Sequence, residues 1–245
     1  MSDYRLGRYQ DVLADVVCDA VITDPPFGER THVAWREGGR YVRPRERKRG
    51  DVAKVAPVDY AHWTEVNVTD FVAFWRPRCR GWIVALTSHD LIGAWERAYA
   101  AAGLYSFAPV PCVTWGGSIR LGGDGPSSWS VYAVVARPKT RAMGKWGTLP
   151  GAYVVPKVFG GGGGGRGKPL DLMRAIVRDY SRPGALVCDP CGGLASTGVA
   201  ALGMGRRFVG AEMDVETHAK GVERLRGVVP VDLFDPGRAT QAGLL

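Results

Sequence analysis

Apolar and polar residues follow one another along this chain with two periods, one typical of strands and one typical of helices. Short apolar runs bounded by polar residues or glycine predict six strands, at 18–24, 81–88, 107–115, 128–137, 185–189 and 206–212. Apolar residues spaced three and four positions apart predict five helices, at 59–79, 89–104, 168–181, 195–204 and 215–227. Strands that alternate with helices predict an α/β fold, a mostly parallel, doubly wound sheet with helices on both faces.

Two segments lack a clear period and interrupt this alternation. Residues 29–57 are polar and rich in arginine, and residues 138–167 include six consecutive glycines, Gly160 to Gly165. A connection as long as 29–57 is a functional loop or a disordered segment. We therefore predict a single domain over residues 1–245, with a basic flexible loop at 29–57 and a short additional segment at 138–167.

Composition narrows the class of protein. The chain has 245 residues, 46% of them hydrophobic, which is enough for one large globular domain. It contains no run of 18 apolar residues, its N-terminus lacks the pattern of a signal peptide, and its five cysteines have no framework spacing, so we expect a cytoplasmic protein. A net charge of +8 favours a polyanionic partner such as nucleic acid; the alternative is a basic surface without function.

The tetrapeptide Asp24-Pro25-Pro26-Phe27 stands at the end of the first predicted strand, and folding alone does not require it. Two successive prolines fix φ and lack N–H donors, so the turn is stiff and presents only acceptors. The Asp24 carboxylate and the Pro25 carbonyl can accept hydrogen bonds from a planar amine, and Phe27 offers a face for a ring to stack on. The alternative is a tight loop with an acid that caps a helix.

A second motif, VCDPCGGLASTGVAA at 187–201, reads as a strand, a tight glycine turn and a helix. Small residues at such a junction let a ligand approach the backbone. Glu212 ends the next strand, 23 residues after Asp189, where an acid can accept hydrogen bonds from ribose hydroxyls. The turn is neither GxGxxG nor a P-loop. The alternatives are a helix-capping turn for Asp189 and a surface salt bridge for Glu212.

Together the two motifs resemble those of the amino-type DNA methyltransferases, which transfer a methyl group from S-adenosylmethionine to an exocyclic nitrogen of a base. The family's tetrapeptide, Asp/Asn/Ser-Pro-Pro-Tyr/Phe/Trp, matches 24–27. Its cofactor motif, Asp-Pro-Phe-x-Gly-Ser-Gly-Thr-Thr, corresponds to 189–197, with Cys191 in place of the aromatic residue and Ala195 in place of the second glycine. The catalytic motif comes first, as in the circularly permuted β group. The resemblance implies a seven-stranded Rossmann-like sheet.

The resemblance also implies site residues. Catalytic roles fall to Asp24, Pro25, Pro26 and Phe27. Contacts with S-adenosylmethionine fall to Asp189, Pro190, Cys191, Gly193, Ser196, Thr197, Glu212 and Lys168. The last of these belongs to a Lys-Pro pair that corresponds to the end of the family's His-Pro-x-x-Lys-Pro motif. Where the family usually has Gly-Asp before the catalytic strand, to contact the cofactor's adenine, this chain has Gly7-Arg8.

The implied partner is double-stranded DNA. Segment 138–167 takes the place of the family's target-recognition region, and because it is short we expect the basic loop to hold the DNA backbone. The residues expected to bind DNA are Arg36, Arg40, Arg43, Arg45, Arg47, Lys48, Arg49 and Arg166. A homodimer and a cognate restriction nuclease are further partners, and the sequence decides neither.

Asp at the head of the tetrapeptide favours adenine N6 over cytosine N4 as the methylated atom, and cytosine N4 stays the first alternative. Methylation of RNA or of a protein amide is more distant, and a DNA-binding protein with a degraded cofactor site is the alternative from another class. Cys188 and Cys191 form a CxxC pair without a second pair at zinc spacing, so no metal is expected. Trp63, Trp75 and Trp95 lie at helical spacing and are predicted to be core residues.

Overall fold

The structure, a computed structural model, describes residues 2–30, 61–115, 129–139, 146–156 and 167–229. Most of the predicted basic loop lies outside the described residues, as does the glycine run. The same is true of every residue predicted to bind DNA: Arg36, Arg40, Arg43, Arg45, Arg47, Lys48, Arg49 and Arg166.

Helices and strands alternate as the sequence predicts. In chain order the first elements are β1 (Ser2–Leu6), α1 (Tyr9–Val12), β2 (Cys18–Thr23), α2 (Glu65–Trp75), β3 (Cys79–Thr87), α3 (Ile92–Ala101), β4 (Leu104–Ser106) and β5 (Val110–Trp115). They are followed by β6 (Ser130–Pro138), β7 (Tyr153–Pro156), α4 (Leu170–Tyr180), β8 (Leu186–Asp189), α5 (Ser196–Gly203), β9 (Arg207–Glu212) and α6 (Val215–Arg226). Within the described ranges no helix has the length and apolar character needed to cross a membrane.

The described strands form one sheet with the order β1-β9-β8-β2-β3-β6-β5-β7, and β4 also pairs with β6. Neighbours pair in parallel from β1 to β3 and again between β5 and β7, whereas β6 is antiparallel to its neighbours. The prediction of a mostly parallel sheet is confirmed. In the part of the chain that the structure describes, the sheet has nine strands rather than the seven that the resemblance implied, because β4 and β5 lie one after the other along β6 and β7 adds an edge strand.

Three of the predicted helices are shorter in the structure, for local reasons. The helix predicted from residue 59 begins at Glu65, where the Asn67 side chain accepts a hydrogen bond from the Thr64 N–H at 2.9 Å. The helix predicted over 89–104 begins as a 3₁₀ turn, His89–Leu91, and its α-helical part ends at Ala101. Gly103 then takes a φ of +68°, which glycine adopts without strain, and the chain turns into β4. The helix predicted from 168 begins at Leu170, after Pro169.

Two hydrophobic clusters, one on each face of the sheet, hold the helices in place. Helices α1 to α3 pack on one face, and helices α4 to α6 pack on the other. The predicted core tryptophans are confirmed: Trp75 and Trp95 are fully buried, and Trp63 packs against the same cluster. Cys188 is fully buried, as predicted. Burial on both faces fixes the sheet, so the strand ends form a rigid platform.

Between β8 and β2 the order in which successive strands are added to the sheet changes direction. Strand β2 leads to β3 on one side, and β8 leads to β9 on the other, while β2 and β8 pair in parallel. In open α/β sheets ligands bind in the crevice at the carboxyl ends of the strands that flank such a reversal. The tetrapeptide 24–27 follows β2 and the glycine turn follows β8, so both predicted motifs lie at this crevice.

Candidate active site

The tetrapeptide 24–27 is fastened to the ends of neighbouring elements. Asp24 comes directly after β2, and its side chain is 29% exposed at the mouth of the crevice. On the other side of the turn, the Phe27 carbonyl accepts a hydrogen bond from the Trp63 N–H at 3.0 Å, and the Gly28 N–H donates to Ser88 Oγ at 3.1 Å. Because it is anchored at both ends and stiffened by two prolines, the turn holds Asp24 and Phe27 in fixed relative positions.

The glycine turn after β8 has two left-handed residues, Gly193 with a φ of +53° and Ala195 with a φ of +55°. A left-handed conformation costs a non-glycine residue about 1–2 kcal/mol, which explains why the resembling family has glycine where this chain has Ala195. The turn adopts the backbone conformation that glycine favours in spite of the substitution. A Cβ added to Gly193 would have nothing within 4 Å, so open space lies beside the turn.

Tyr4 packs against this turn and forms a hydrogen bond with it. Its hydroxyl donates to the Gly193 carbonyl at 2.7 Å, and a Cβ on Gly192 would lie 2.7 Å from its ring. His218 stacks on Tyr4 with ring centroids 4.9 Å apart. The sequence did not reveal Tyr4, because β1 was not predicted and the side chain meets the turn 189 residues further along the chain.

Glu212, the last residue of β9, accepts a hydrogen bond from the glycine turn. Its Oε2 accepts from the Gly193 N–H at 2.9 Å, and its Oε1 accepts from the N–H groups of Met213 and Asp214 at 2.8 and 2.9 Å. A carboxylate that accepts three backbone N–H groups is held in one orientation. Glu212 therefore presents its remaining acceptor positions beside the open space at Gly193.

Asp189 lies at the end of β8, only 2% exposed. Its Oδ1 accepts from Thr23 Oγ1 at 2.7 Å and from the Cys191 N–H at 3.1 Å. Burial raises the pKa of Asp189 to about 6, against hydrogen bonds from Thr197, Thr23 and Cys191 that lower it. Since Thr23 directly precedes Asp24, the bond between Thr23 and Asp189 joins the two motifs. No local pattern predicts this contact, because the two residues are 166 positions apart in the chain.

The raised pKa of Asp189 predicts a pH dependence of stability. The folded-state pKa near 6 exceeds the ordinary aspartate pKa of 3.8, so folding favours the protonated carboxyl and its ionisation opposes folding. The contribution is complete below about pH 4 and is lost as the pH rises through about 6, in total about 3 kcal/mol. Urea unfolding at several pH values should show this loss in the wild type and not in Asp189→Asn. Parallel pH profiles of the two proteins would refute the assignment.

The remaining predicted cofactor residues line the same turn and the helix after it. Pro190 is buried, Cys191 is half-buried, and burial raises the pKa of the Cys191 thiol well above its usual range. Ser196 and Thr197 begin α5 and are almost fully buried. A residue that the sequence did not reveal, Arg224 of α6, donates to the Leu194 carbonyl and lies 3.3 Å from Ser196 Oγ. These contacts fix the first turn of α5 against α6.

Lys168, predicted to contact the cofactor, forms an ion pair with Asp24. Its Nζ is 2.7 and 2.6 Å from the two carboxylate oxygens of Asp24 and 4.6 Å from the centroid of the Phe27 ring. The preceding residue, Gly167, reaches the other motif, since a Cβ there would lie 3.2 Å from Ser196 Oγ. Lys168 thus lies between the two motifs, in contact with Asp24 of one and next in the chain to a residue that approaches the other.

Comparison with known proteins finds a sequence match at the glycine turn. Residues 165–223 match the family model described as DNA methylase, a range that covers the turn and the elements around it. The chain is also 40% identical over 58 residues to the DNA adenine methyltransferase YhdJ of Escherichia coli K12. That alignment covers 24% of this chain and 20% of YhdJ, so the chain matches about a fifth of the length of this curated relative.

Solved structures extend the likeness to the fold. The crystal structure of the M1.HpyAVI–SAM complex matches with a TM-score of 0.67 and 18% identity, over 92% of this chain and 100% of that one. The cytosine-N4-specific PvuII DNA methyltransferase matches with a TM-score of 0.62 and 13% identity, over 91% of this chain and 86% of that one. The resemblance inferred from the two motifs is confirmed: the chain is similar to the amino-type DNA methyltransferases in sequence around the glycine turn and in fold over most of its length.

Proposed function

We propose that the protein transfers a methyl group from S-adenosylmethionine to an exocyclic amine of a DNA base, with adenine N6 as the target atom. One observation carries the proposal. The acceptor turn 24–27 and the glycine turn stand at the carboxyl ends of two paired strands, β2 and β8, and a 2.7 Å hydrogen bond between Thr23 and Asp189 joins them. Methyl transfer needs a nucleophile site and a donor site held side by side in this way.

The residues of the crevice fit S-adenosylmethionine. Open space beside Gly193 allows a ligand to approach the backbone, and Glu212 presents acceptors for ribose hydroxyls next to it. The carboxylates of Asp24, Asp189 and Glu212 favour a ligand with a positive charge. When bound, S-adenosylmethionine supplies an electrophilic methyl group on a sulfonium.

Asp24 and the turn that follows it then activate the amine. The lone pair of an exocyclic amine is delocalised into the base, so the nitrogen is a poor nucleophile. Asp24 accepts one N–H and the Pro25 carbonyl accepts the other, which localises the lone pair and stabilises the positive charge that develops as the nitrogen attacks. Asp24 then receives the proton that the nitrogen loses. Phe27 stacks on the base, which must leave the duplex to reach this turn.

Mass spectrometry of nucleosides from methylated DNA identifies the methylated atom. DNA from an expressing host lacking its own methyltransferases should contain N6-methyladenine. N4-methylcytosine is the second candidate, favoured by the fold match to the cytosine-N4-specific PvuII enzyme, and its appearance would replace adenine in the proposal. Asp24→Ala in the same host is the control, since any modification that persists there comes from the host.

A DNA-binding protein with a degraded cofactor site is the alternative outside the enzymes. This alternative arises because Cys191 and Ala195 depart from the family's cofactor motif. The turn nevertheless has left-handed residues at Gly193 and Ala195. Hydrogen bonds with Glu212 and Tyr4 hold its backbone in place. This geometry supports a working site. Titration calorimetry with S-adenosylmethionine should detect binding, and a protein that binds DNA without binding the cofactor would overturn the proposal.

Double-stranded DNA is the proposed partner, and the basic loop is proposed to hold it. Each phosphate contact that is lost lowers the slope of log affinity against log salt by about one unit. Replacing Arg45, Arg47, Lys48 and Arg49 by Ala should therefore flatten that slope by about three to four units on DNA of any sequence. Filter binding or fluorescence anisotropy over a salt series measures the slope. A homodimer and a cognate nuclease stay predictions.

A matched control removes four exposed arginines at the opposite edge of the sheet. Arg80 and Arg207 lie at the amino ends of β3 and β9, Arg182 precedes β8, and Arg226 ends α6. Their replacement by Ala removes the same net charge and should leave the salt slope within one unit of the wild type. Equal slopes for both quadruple variants would mean that the basic loop makes no specific phosphate contacts.

A further inference from the structure

The ion pair between Lys168 and Asp24 occupies the center of the proposed site. Lys168 Nζ lies 2.7 and 2.6 Å from the two oxygens of Asp24, and the same nitrogen lies over the Phe27 ring at 4.6 Å. Both side chains are sheltered, with Lys168 22% exposed and Asp24 29% exposed. The Lys168 ammonium therefore forms an ion pair with Asp24 and a cation–π contact with Phe27 at the same time.

These two contacts are the ones that the proposed function assigns to the target amine. The reacting nitrogen donates to Asp24, carries a developing positive charge and belongs to a ring stacked on Phe27. Aromatic rings in contact have centroids about 4.5–7 Å apart, so a base packed on the face of Phe27 that Lys168 covers would fill the space in which Nζ lies. Lys168 and a target base therefore exclude each other at Asp24.

Lys168 is able to leave. It precedes α4, which begins at Leu170, so its movement does not require a helix to unwind. Its ammonium is carried on a flexible four-carbon stem. Neither side chain is fully buried, so water can reach the ammonium and the carboxylate when the pair separates. A second cation brought next to Asp24 would compete with the ammonium for the same carboxylate and repel it.

We propose that Lys168 is a positioning residue that holds the place of the target amine on Asp24 and withdraws when the positively charged cofactor enters. The inference rests on the proposed function, since it takes Asp24 as the acceptor for the amine and a sulfonium as the methyl donor. It couples the two ligands: the cation of the cofactor releases Asp24, and Asp24 then becomes available to the base. The base is thereby kept from the carboxylate until the methyl donor is in place.

The proposal predicts a charge-specific effect on cofactor affinity. S-Adenosylmethionine and S-adenosylhomocysteine differ by a methyl group and one positive charge. The Lys168 ammonium should oppose only the charged ligand, so Lys168→Met should raise the affinity for S-adenosylmethionine relative to S-adenosylhomocysteine by about tenfold. Lys168→Arg, which retains the charge, should leave the ratio near the wild-type value. Asp24→Asn should lower the ratio, because the attractive carboxylate is gone and the ammonium remains.

Titration calorimetry of the full chain with each ligand gives the ratio without any methyl transfer. Lys220→Met is the matched control, because Lys220 is an exposed lysine that pairs with Glu216 along α6 at 3.8 Å rather than with Asp24. Lys168→Gln repeats the test with a neutral polar side chain. The proposal is supported if the affinity for S-adenosylmethionine relative to S-adenosylhomocysteine rises in Lys168→Met and Lys168→Gln and does not rise in Lys220→Met.

Other results would overturn it. Equal losses of affinity for both ligands in Lys168→Met would make Lys168 a direct ligand of the part that they share. An unchanged ratio with normal affinity for S-adenosylhomocysteine would show that the ammonium does not sense the cofactor's charge, and the proposed function would stand. Failure of the wild type to bind either ligand would instead refute the proposed function itself, and the inference with it.

Discussion

Asp24→Ala is expected to lose methyl transfer by about a thousandfold or more while S-adenosylhomocysteine binds nearly as it does to the wild type. The loss combines two terms, the removal of a preorganised acceptor for the amine and the removal of a proton acceptor, each worth about 10²–10³ or more in rate. Affinity for the uncharged S-adenosylhomocysteine is spared because the glycine turn is held by Tyr4 and Glu212, neither of which hydrogen-bonds to Asp24. Transfer of a radiolabelled methyl group to unmodified phage DNA measures the rate.

The control for Asp24 lies near the start of the strand that Asp24 follows. Asp19 is at the other end of β2, where its carboxylate accepts the Leu186 N–H at 2.8 Å, so Asp19→Asn removes a carboxylate charge far from the crevice. This variant should retain methyl transfer within a few fold of the wild type. Turnover by Asp24→Ala at a similar level would remove Asp24 from the mechanism.

The parts of the fold with strong periodicity were predictable from sequence. All six strands and five helices expected from the pattern exist, because each buries a continuous apolar face in one of the two clusters. Strands β1, β4 and β7 were not predicted. Strand β1 has no fully buried residue, β4 has only three residues, and β7 has four residues that alternate between buried and exposed. Such strands form because the rest of the sheet offers a partner edge, which is not local information.

The candidate site, like the fold, was predictable from the sequence only in part. The positions of Asp24, Asp189 and Glu212 at strand ends followed from local patterns, and the structure brings all three to one edge of the sheet. The hydrogen bond of Thr23 with Asp189 and the ion pair of Lys168 with Asp24 join residues 166 and 144 positions apart. Contacts of this kind depend on which strands become neighbours, and a single sequence does not specify that order. The assignment of Lys168 to the cofactor was therefore made without its strongest contact.

Glu212→Ala is expected to weaken S-adenosylmethionine binding by about ten- to a hundredfold and to destabilise the fold as well. A lost hydrogen bond to a charged group costs about 1.5–3 kcal/mol, which gives the loss of affinity if Glu212 holds the ribose. The same carboxylate accepts the N–H groups of Gly193, Met213 and Asp214, and their loss should lower the free energy of unfolding by about 2–4 kcal/mol, since water can replace part of these bonds. Titration calorimetry and urea unfolding measure the two effects.

Two variants separate the role of Glu212 in the ligand site from its role in the turn. Glu223→Ala removes an exposed carboxylate from α6 and should change neither quantity. Tyr4→Phe removes the hydroxyl that donates to the Gly193 carbonyl, so it loosens the same turn without removing a ligand for ribose. If Glu212 binds the cofactor directly, Glu212→Ala should lose far more affinity than Tyr4→Phe when both are titrated at a temperature at which circular dichroism shows them folded. Equal, small losses of affinity in the two variants would mean that Glu212 only shapes the turn and that the ribose is held elsewhere.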